Sequence, residues 1–163
     1  MKLGPSCSLG AILALALAFG AGTAWGADYA TIILKTPVDR PADGVWKRIG
    51  EFCALGTFIK MSCTYTSGSG GLGTVRRLGE RITEVMVAQT SHSYTYTQPD
   101  TKILYHGTVD VEPAGAGHSE IIYSLFYDQS QLATPQAKAA DRAQRTKLFT
   151  GLLATMKKAA EGD

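Results

Sequence analysis

The sequence has 163 residues, of which 16 are Lys or Arg and 14 are Asp or Glu. This near balance of charge, without a basic run or face, excludes an electrostatic binder of nucleic acid. Hydrophobic residues make up 45% of the chain and glycines number 18, which excludes a disordered protein and predicts a globular, turn-rich one.

The first 26 residues have the three parts of a cleavable secretory signal. Lys2 gives a positive start, residues 9–21 form an apolar run, and Ala24 and Gly26 are small residues placed for cleavage before Ala27. The run is shorter than the ~20 residues that cross a bilayer as a helix, so we expect no transmembrane anchor after cleavage. The pattern predicts one domain at 27–163, periplasmic or secreted.

The cysteines are consistent with export. Cleavage removes Cys7 and leaves Cys53 and Cys63. An even pair in an oxidising compartment is a disulfide candidate, and this separation along the chain permits the bridge without establishing it. Two buried free thiols are the alternative.

The start of the mature chain predicts a strand and two short helices. The strand is β-branched and apolar until Pro37 ends it. Asp39 is placed to cap the first helix, and Pro41 lies in that helix's first turn. The predicted elements are a strand at 29–36, a helix ending at Gly50 and a helical piece at 51–56.

From residue 61 onward the sequence alternates with a period of two, which indicates strands. The turns between them are short and contain Gly, Pro or Asp, so consecutive strands should form an antiparallel meander. The predicted strands are 61–66, 73–79, 82–90, 93–98, 103–112 and 119–128.

A long helix is predicted at the end of the chain, with Thr134 as N-cap, Pro135 in the first turn and an end near residue 160. Its first half is Ala-rich and polar, so only its second half should bury a stripe. Gly151 within it predicts a close approach to the sheet or room for a ligand. The stripe is Leu148, Phe149, Leu152, Leu153 and Met156.

These elements predict an α+β fold in which a curved antiparallel sheet wraps around the long C-terminal helix, with two short helices near the N-terminus. Because the first half of that helix is small and polar, it should fill the curved sheet poorly. We therefore expect a ligand cavity between the sheet and the C-terminal helix.

Residues 68–73 match the pattern G-x-G-x-x-G, but a strand-like segment follows where a dinucleotide site needs a helix. We interpret the segment as a turn at the cavity mouth and expect no cofactor. The three histidines, His92, His106 and His118, lack metal-ligand spacing, so no metal site is predicted. His106 lies in a predicted strand and is either a packed or solvent-facing strand residue or a general acid or base.

One charged pair stands out. If 79–81 is a hairpin turn, Arg76 lies opposite Glu84, on a face shared with Leu72, Leu78, Ile82 and Met86. Burying an ion pair on an apolar face costs the free energy of desolvating both ions, so the pair is better explained as a polar group that recognises a ligand. A cross-strand surface pair is the alternative.

Tyrosines recur along the predicted strands. Tyr94 and Tyr96 share one face, and Tyr105, Tyr123 and Tyr127 follow. Rings with a polar tip suit a mostly apolar cavity, although ordinary core and surface tyrosines are the alternative. The predicted ligand-binding residues are Arg76, Glu84, Tyr94, Tyr96, Tyr105 and Tyr123.

The chain resembles the SRPBCC (START/Bet v 1-like) superfamily, specifically its exported polyketide cyclase/dehydrase-like proteins. The resemblance implies a helix-grip fold over a hydrophobic cavity and a function in binding lipids, hormones or polyketides, with cyclisation or dehydration in some members. It carries over no catalytic residue. The segments that carry it are 45–53 (VWKRIGEFC), 70–78 (GGLGTVRRL), 82–85 (ITEV), 94–96 (YTY), Tyr105 and the final helix.

Three functions follow. The leading hypothesis is a periplasmic or secreted binding protein for a small hydrophobic ligand. The alternative is a cyclase or dehydratase with His106 or Glu84 as acid or base in the same cavity. The third is an interaction module that presents the outer face of the sheet to a partner protein.

Overall fold

The structure, a computed structural model, describes Met1 and residues 26–162. The apolar run of the predicted secretory signal lies outside these residues, and that signal stays a prediction. Over the described range the elements are β1 (Tyr29–Val38), α1 (Ala42–Ile49), α2 (Ala54–Phe58), β2 (Cys63–Ser67), β3 (Val75–Leu78), β4 (Ile82–Gln89), β5 (Ser93–Thr97), β6 (His106–Pro113), β7 (Ser119–Asp128) and α3 (Pro135–Glu161).

The strands form one antiparallel sheet of seven, in the order β1-β7-β6-β5-β4-β3-β2. It curves around α3, so the predicted helix-grip fold is confirmed. Register shifts between Tyr65 and Ser67 and between Met86 and Ala88 mark bulges. Bulges bend a strand and increase its twist, which helps the sheet to curl.

The core lies between the concave face of the sheet, α1 and the second half of α3. Alternate residues of β6 and β7 point into it, as the period-two pattern predicts. The buried residues of α3 all belong to its second half: Leu152, Leu153, Met156 and Ala160.

The first half of α3 is held by polar contacts instead. The Thr134 hydroxyl accepts from the Ala137 N–H at 3.1 Å, which confirms the predicted N-cap. Buried Gln129, just after β7, donates through Nε2 to an Asp141 carboxylate oxygen at 2.8 Å and accepts from Arg142 at 2.7 Å. Because the buried residues of α3 all lie in its second half, the first half is attached through these polar contacts rather than through a packed apolar stripe.

The N-terminal part departs from the prediction in two places. Pro37 lies inside β1 rather than ending it, and an edge strand tolerates proline because its outer N–H groups have no sheet partner. Helix α1 has Pro41 itself at the N-cap position, without a side-chain cap. Asp39 does not cap it, and its Oδ1 atom lies 3.1 Å from Nδ1 of His118.

Leu72 and Gly151 are also placed differently from the prediction. The turn at 68–73 shortens β3, so Leu72 lies outside the strand and is 68% exposed rather than turned inward. Gly151 lies on the exposed side of α3, and no atom would crowd a methyl group added there. It therefore marks neither a close approach to the sheet nor room for a ligand.

Cys53 and Cys63 form the predicted disulfide, with Cα atoms 5.5 Å apart. The bridge ties the residue before α2 to the first residue of β2. Within the described range, no helix combines the length and the hydropathy needed to span a membrane.

Candidate ligand-binding cavity

A cavity of about 360 Å³ lies between the concave face of the sheet, α2 and the middle of α3. It is within the size range of small-molecule sites. Leu148, 67% exposed, lies at its rim. Its apolar walls are Leu55, Ile59, Met61, Leu78, Ile82, Leu148, Phe149 and Leu152, and its polar walls are Glu84, Tyr96, Gln98, Tyr105, Tyr123 and Arg145.

A second concavity, of about 440 Å³, lies between β1 and α3. Four of its nine lining residues are charged, and it has no buried polar network. It is a solvent-facing groove in which Leu153 is the one buried lining residue, whereas half of the residues that line the smaller cavity are buried, so the smaller cavity is the candidate site.

Arg76 and Glu84 are paired across β3 and β4, as the hairpin register predicts. Their side chains are 0% and 3% exposed, and Arg76 Nε donates to Glu84 Oε2 at 2.7 Å. Gln98 donates to the other carboxylate oxygen, Oε1, at 2.9 Å. The interpretation of this pair as an exposed surface pair is therefore wrong.

Arg76 does not line the cavity; it lies behind Glu84. Its guanidinium carbon is 3.8 Å from the Phe52 ring centroid and 4.9 Å from that of Tyr96, and Nη1 donates to the Phe52 carbonyl. Nη2 lies 2.6 Å from Glu84 Oε2 but is not aimed at a hydrogen-bond acceptor among the described residues. Arg76 thus holds the carboxylate of Glu84 from behind, and Glu84 faces the cavity.

Three tyrosine hydroxyls form the polar centre of the cavity. The Tyr96 and Tyr123 oxygens are 2.6 Å apart, whereas those of Tyr96 and Tyr105 are 3.5 Å apart, too far for a strong hydrogen bond. Burial raises the pKa of all three phenols, so each keeps its proton at neutral pH. Because the Tyr96 and Tyr123 hydroxyls bond each other, the Tyr105 hydroxyl is the one best placed to form a hydrogen bond with a ligand.

Tyr94 packs in the core instead of lining the cavity. Its ring centroid is 5.2 Å from that of Phe52 and 5.8 Å from that of Trp46. Of the six residues predicted to bind ligand, the structure brings Glu84, Tyr96, Tyr105 and Tyr123 to the cavity and places Arg76 and Tyr94 behind its wall.

Gln98 and Arg145 line the cavity without having been predicted. Gln98 is two residues after Tyr96 and so continues the same face of that segment. Arg145 is three and four residues before Leu148 and Phe149, so extending the apolar stripe of the helix by one turn would have found it.

His106 lies on the outer face of the sheet. Its Nδ1 is 2.9 Å from the Leu104 carbonyl oxygen, and its ring centroid is 6.4 Å from that of half-exposed Phe126. The hypothesis that it acts as an acid or base in the cavity is wrong, because neighbouring strand residues point to opposite faces and Gly107 takes the inward position.

The glycine-rich turn at 68–73 is not at the cavity mouth. It lies at the opposite end of β3 from the hairpin that lines the cavity, and a methyl group on Gly70 would contact the Tyr65 hydroxyl. No group of three or more His, Cys, Asp or Glu residues suited to a metal occurs in the part of the chain that the structure describes.

Residues 30–161 match a family described as polyketide cyclase / dehydrase and lipid transport. The chain belongs to this family. A comparison with curated proteins found no significant match.

Solved structures show the same fold at low identity. The Zhui aromatase/cyclase from Streptomyces sp. R1128 is 16% identical, with a TM-score of 0.65 over 82% of this chain and 94% of that one. A Thermobifida fusca protein is 20% identical, with a TM-score of 0.65 over 80% and 92%. Norcoclaurine synthase from Thalictrum flavum is 18% identical, with a TM-score of 0.59 over 81% and 93%. These similarities establish the fold and assign no activity.

Proposed function

We propose that the protein binds a small, mostly apolar ligand that carries one polar group. The observation that supports this is an apolar cavity whose polar groups are already held in place: Glu84 by Arg76 and Gln98, and Tyr96 by Tyr123. Apolar burial favours binding by ~25 cal/mol per Å², and preorganised polar groups reduce the entropy lost on binding. The family's description, which includes lipid transport, agrees with this function.

A cyclase or dehydratase that uses Glu84 is the second candidate, because that carboxylate faces the cavity and similar folds include an aromatase/cyclase. Binding is the better explanation of the contacts around Glu84. Its two oxygens already accept hydrogen bonds from Arg76 and Gln98, so neither oxygen is left without a partner to take a proton from a substrate.

We further propose that the protein acts outside the cytoplasm, in the periplasm or as a secreted protein. Two independent features support this location. The N-terminal residues have the pattern of a cleavable signal, and the Cys53–Cys63 bridge is a type of bond that persists in oxidising compartments.

Binding of a neutral fluorescent probe, N-phenyl-1-naphthylamine, tests the proposed function. We expect the protein to bind the probe and the variant Ile82→Trp, which places a larger side chain at the cavity wall, to bind it at least several-fold more weakly. Ile33→Trp on the exposed outer face is the matched control and should bind as the original protein does. Equal binding by both variants would contradict a site in this cavity.

Native mass spectrometry of the purified protein separates the rival functions. A binding protein should release a lipid-sized molecule on denaturation, and that molecule should keep its mass after incubation with excess protein. Conversion to a new mass would support the enzyme instead. If no molecule co-purifies and the probe does not bind, the functional surface would instead be the outer face of the sheet, where Tyr29 and Phe126 are exposed.

A further inference from the structure

Arg145 has hydrogen-bonding capacity that the described residues do not use. Its Nε lies 3.1 and 3.2 Å from the two Asp141 carboxylate oxygens, one turn earlier in α3. Neither of its Nη atoms donates a hydrogen bond to any residue in the described range. The side chain lines the cavity and is 27% exposed. Up to four N–H donors are therefore available at the cavity wall.

The guanidinium is held before any ligand arrives. Its carbon lies 4.3 Å from the ring centroid of Tyr127 and 6.0 Å from that of Tyr105, while Asp141 fixes its Nε side. Because a guanidinium is planar, fixing one edge and one face also orients the remaining N–H groups. This arrangement lowers the entropy that the Arg145 side chain would lose when a ligand binds.

The donors on the cavity wall, rather than a surplus of positive charge, favour an anion at this position. Among the lining residues, the charged ones are Glu84 and Arg145. The charge of Glu84 is compensated by buried Arg76 at 2.6 Å. Asp141 pairs with Arg145 through its Nε side and also accepts from Gln129, but it does not line the cavity, where the Nη donors of Arg145 remain available. The Tyr105 hydroxyl, which keeps its proton, is a further donor on the same wall.

We propose that Arg145 binds the carboxylate of the ligand, which is a single-chain or single-skeleton apolar acid. This inference rests on the proposed function of the cavity. A guanidinium fork matches a carboxylate in shape and in its single charge, whereas a phosphate monoester carries about −1.5 to −2 and would leave charge uncompensated. A volume of about 360 Å³ suits one acyl chain or one ring system rather than a two-chain lipid.

Displacement of N-phenyl-1-naphthylamine by dodecanoate, dodecanol and dodecyl phosphate, each below its micelle concentration, tests the assignment. A charged hydrogen-bonded pair predicts that dodecanoate binds on the order of 10- to 100-fold more tightly than dodecanol. Arg145→Met should abolish this preference and leave the Kd of dodecanol within about two-fold, since the apolar contacts are unchanged. Arg145→Lys should retain part of it, because lysine keeps the charge but loses the fork.

Lys147→Met is the matched control, because it removes a charge from an exposed position of α3 that does not line the cavity. It should keep the full preference for the acid. Three results would overturn this inference without affecting the proposed function. They are equal Kd values for dodecanoate and dodecanol in the original protein, tighter binding of dodecyl phosphate than of dodecanoate, and an equal loss of affinity for the acid and the alcohol in Arg145→Met. Failure of the original protein to bind the probe would overturn the proposed function and this inference with it.

Discussion

Arg76 and Glu84 are held at the interface between the core and the cavity, where desolvation and pairing oppose each other. Each ion loses several kcal/mol of hydration on burial, and the pair recovers it through close contacts and through the surrounding donors and acceptors. Here those partners are Gln98 for the carboxylate and the Phe52 carbonyl and ring for the guanidinium. The pair therefore contributes little net stability while being costly to break.

A double-mutant cycle tests this balance at the residue scale. Arg76→Met should lower the free energy of unfolding by about 3–5 kcal/mol, because it leaves Glu84 buried without its cation. The double variant Arg76→Met, Glu84→Leu should lose clearly less than Arg76→Met alone, since no unpaired charge remains. Urea denaturation of Arg76→Met, of Glu84→Leu and of the double variant measures the three losses. A double variant that loses as much as the two single variants together would show that the residues act independently.

At the scale of elements, β5 and β6 pack through a glycine. Gly107 pairs with Tyr96 across the two strands, and the Tyr96 ring covers the space where a side chain would stand. A methyl group there would lie 2.4 Å from the ring and from its hydroxyl oxygen. The glycine thus allows the ring to reach its position beside Tyr123 in the cavity.

Gly107→Ala should consequently destabilise the protein by about 1–3 kcal/mol, the usual cost of overpacking, and displace the Tyr96 ring. Gly151→Ala is the opposite case, because its added methyl group meets open space on the exposed side of α3. It should stabilise by about 0.5–1 kcal/mol through helix propensity. Thermal and urea unfolding of both variants measures these changes. A neutral Gly107→Ala would contradict the close packing of the Tyr96 ring on Gly107.

Local patterns account for what could be predicted of these elements. The 79–81 turn determines which residues of its two strands face each other, so the Arg76–Glu84 register was predicted correctly. The cap at Thr134 depends only on its neighbours and is also confirmed. Leu72 was misjudged because the alternation of faces holds only within a strand, and the glycine-rich turn at 68–73 lies before the start of β3 at Val75. For His106 the structure shows the solvent-facing alternative rather than the acid or base.

The cavity itself depends on contacts across the whole molecule. Arg145 and Glu84 come from segments far apart in the sequence, and they meet because α3 crosses the concave face of the sheet. Helical and strand periodicity identify the face of each element but not the neighbour that the face meets. The sequence therefore predicted a cavity and four of its lining residues, but it could not separate them from Arg76 and Tyr94, which are buried just behind.

Tyrosines spread through this core should make the whole molecule sensitive to alkaline pH. Burial raises the pKa of Tyr65 and of Tyr127 to about 12. It also raises the pKa of Tyr94 and of the three cavity tyrosines. In the unfolded chain a phenol has a pKa of about 10, so between about pH 10 and 12 the folded state keeps protons that the unfolded state has released.

The stabilisation that comes from these protonated phenols should be complete below about pH 10 and should be lost as the pH rises through the raised folded-state values. Urea denaturation at a series of pH values should give a free energy of unfolding that falls steadily above about pH 10. Phenolate absorbance at the same pH should be lower for the folded protein than for the protein in concentrated urea. The contrary result would be equal phenolate absorbance in the two states and a free energy of unfolding that does not change from about pH 9 to 11. It would mean that water reaches these hydroxyls in the native protein, and that the cavity is far more open than its walls indicate.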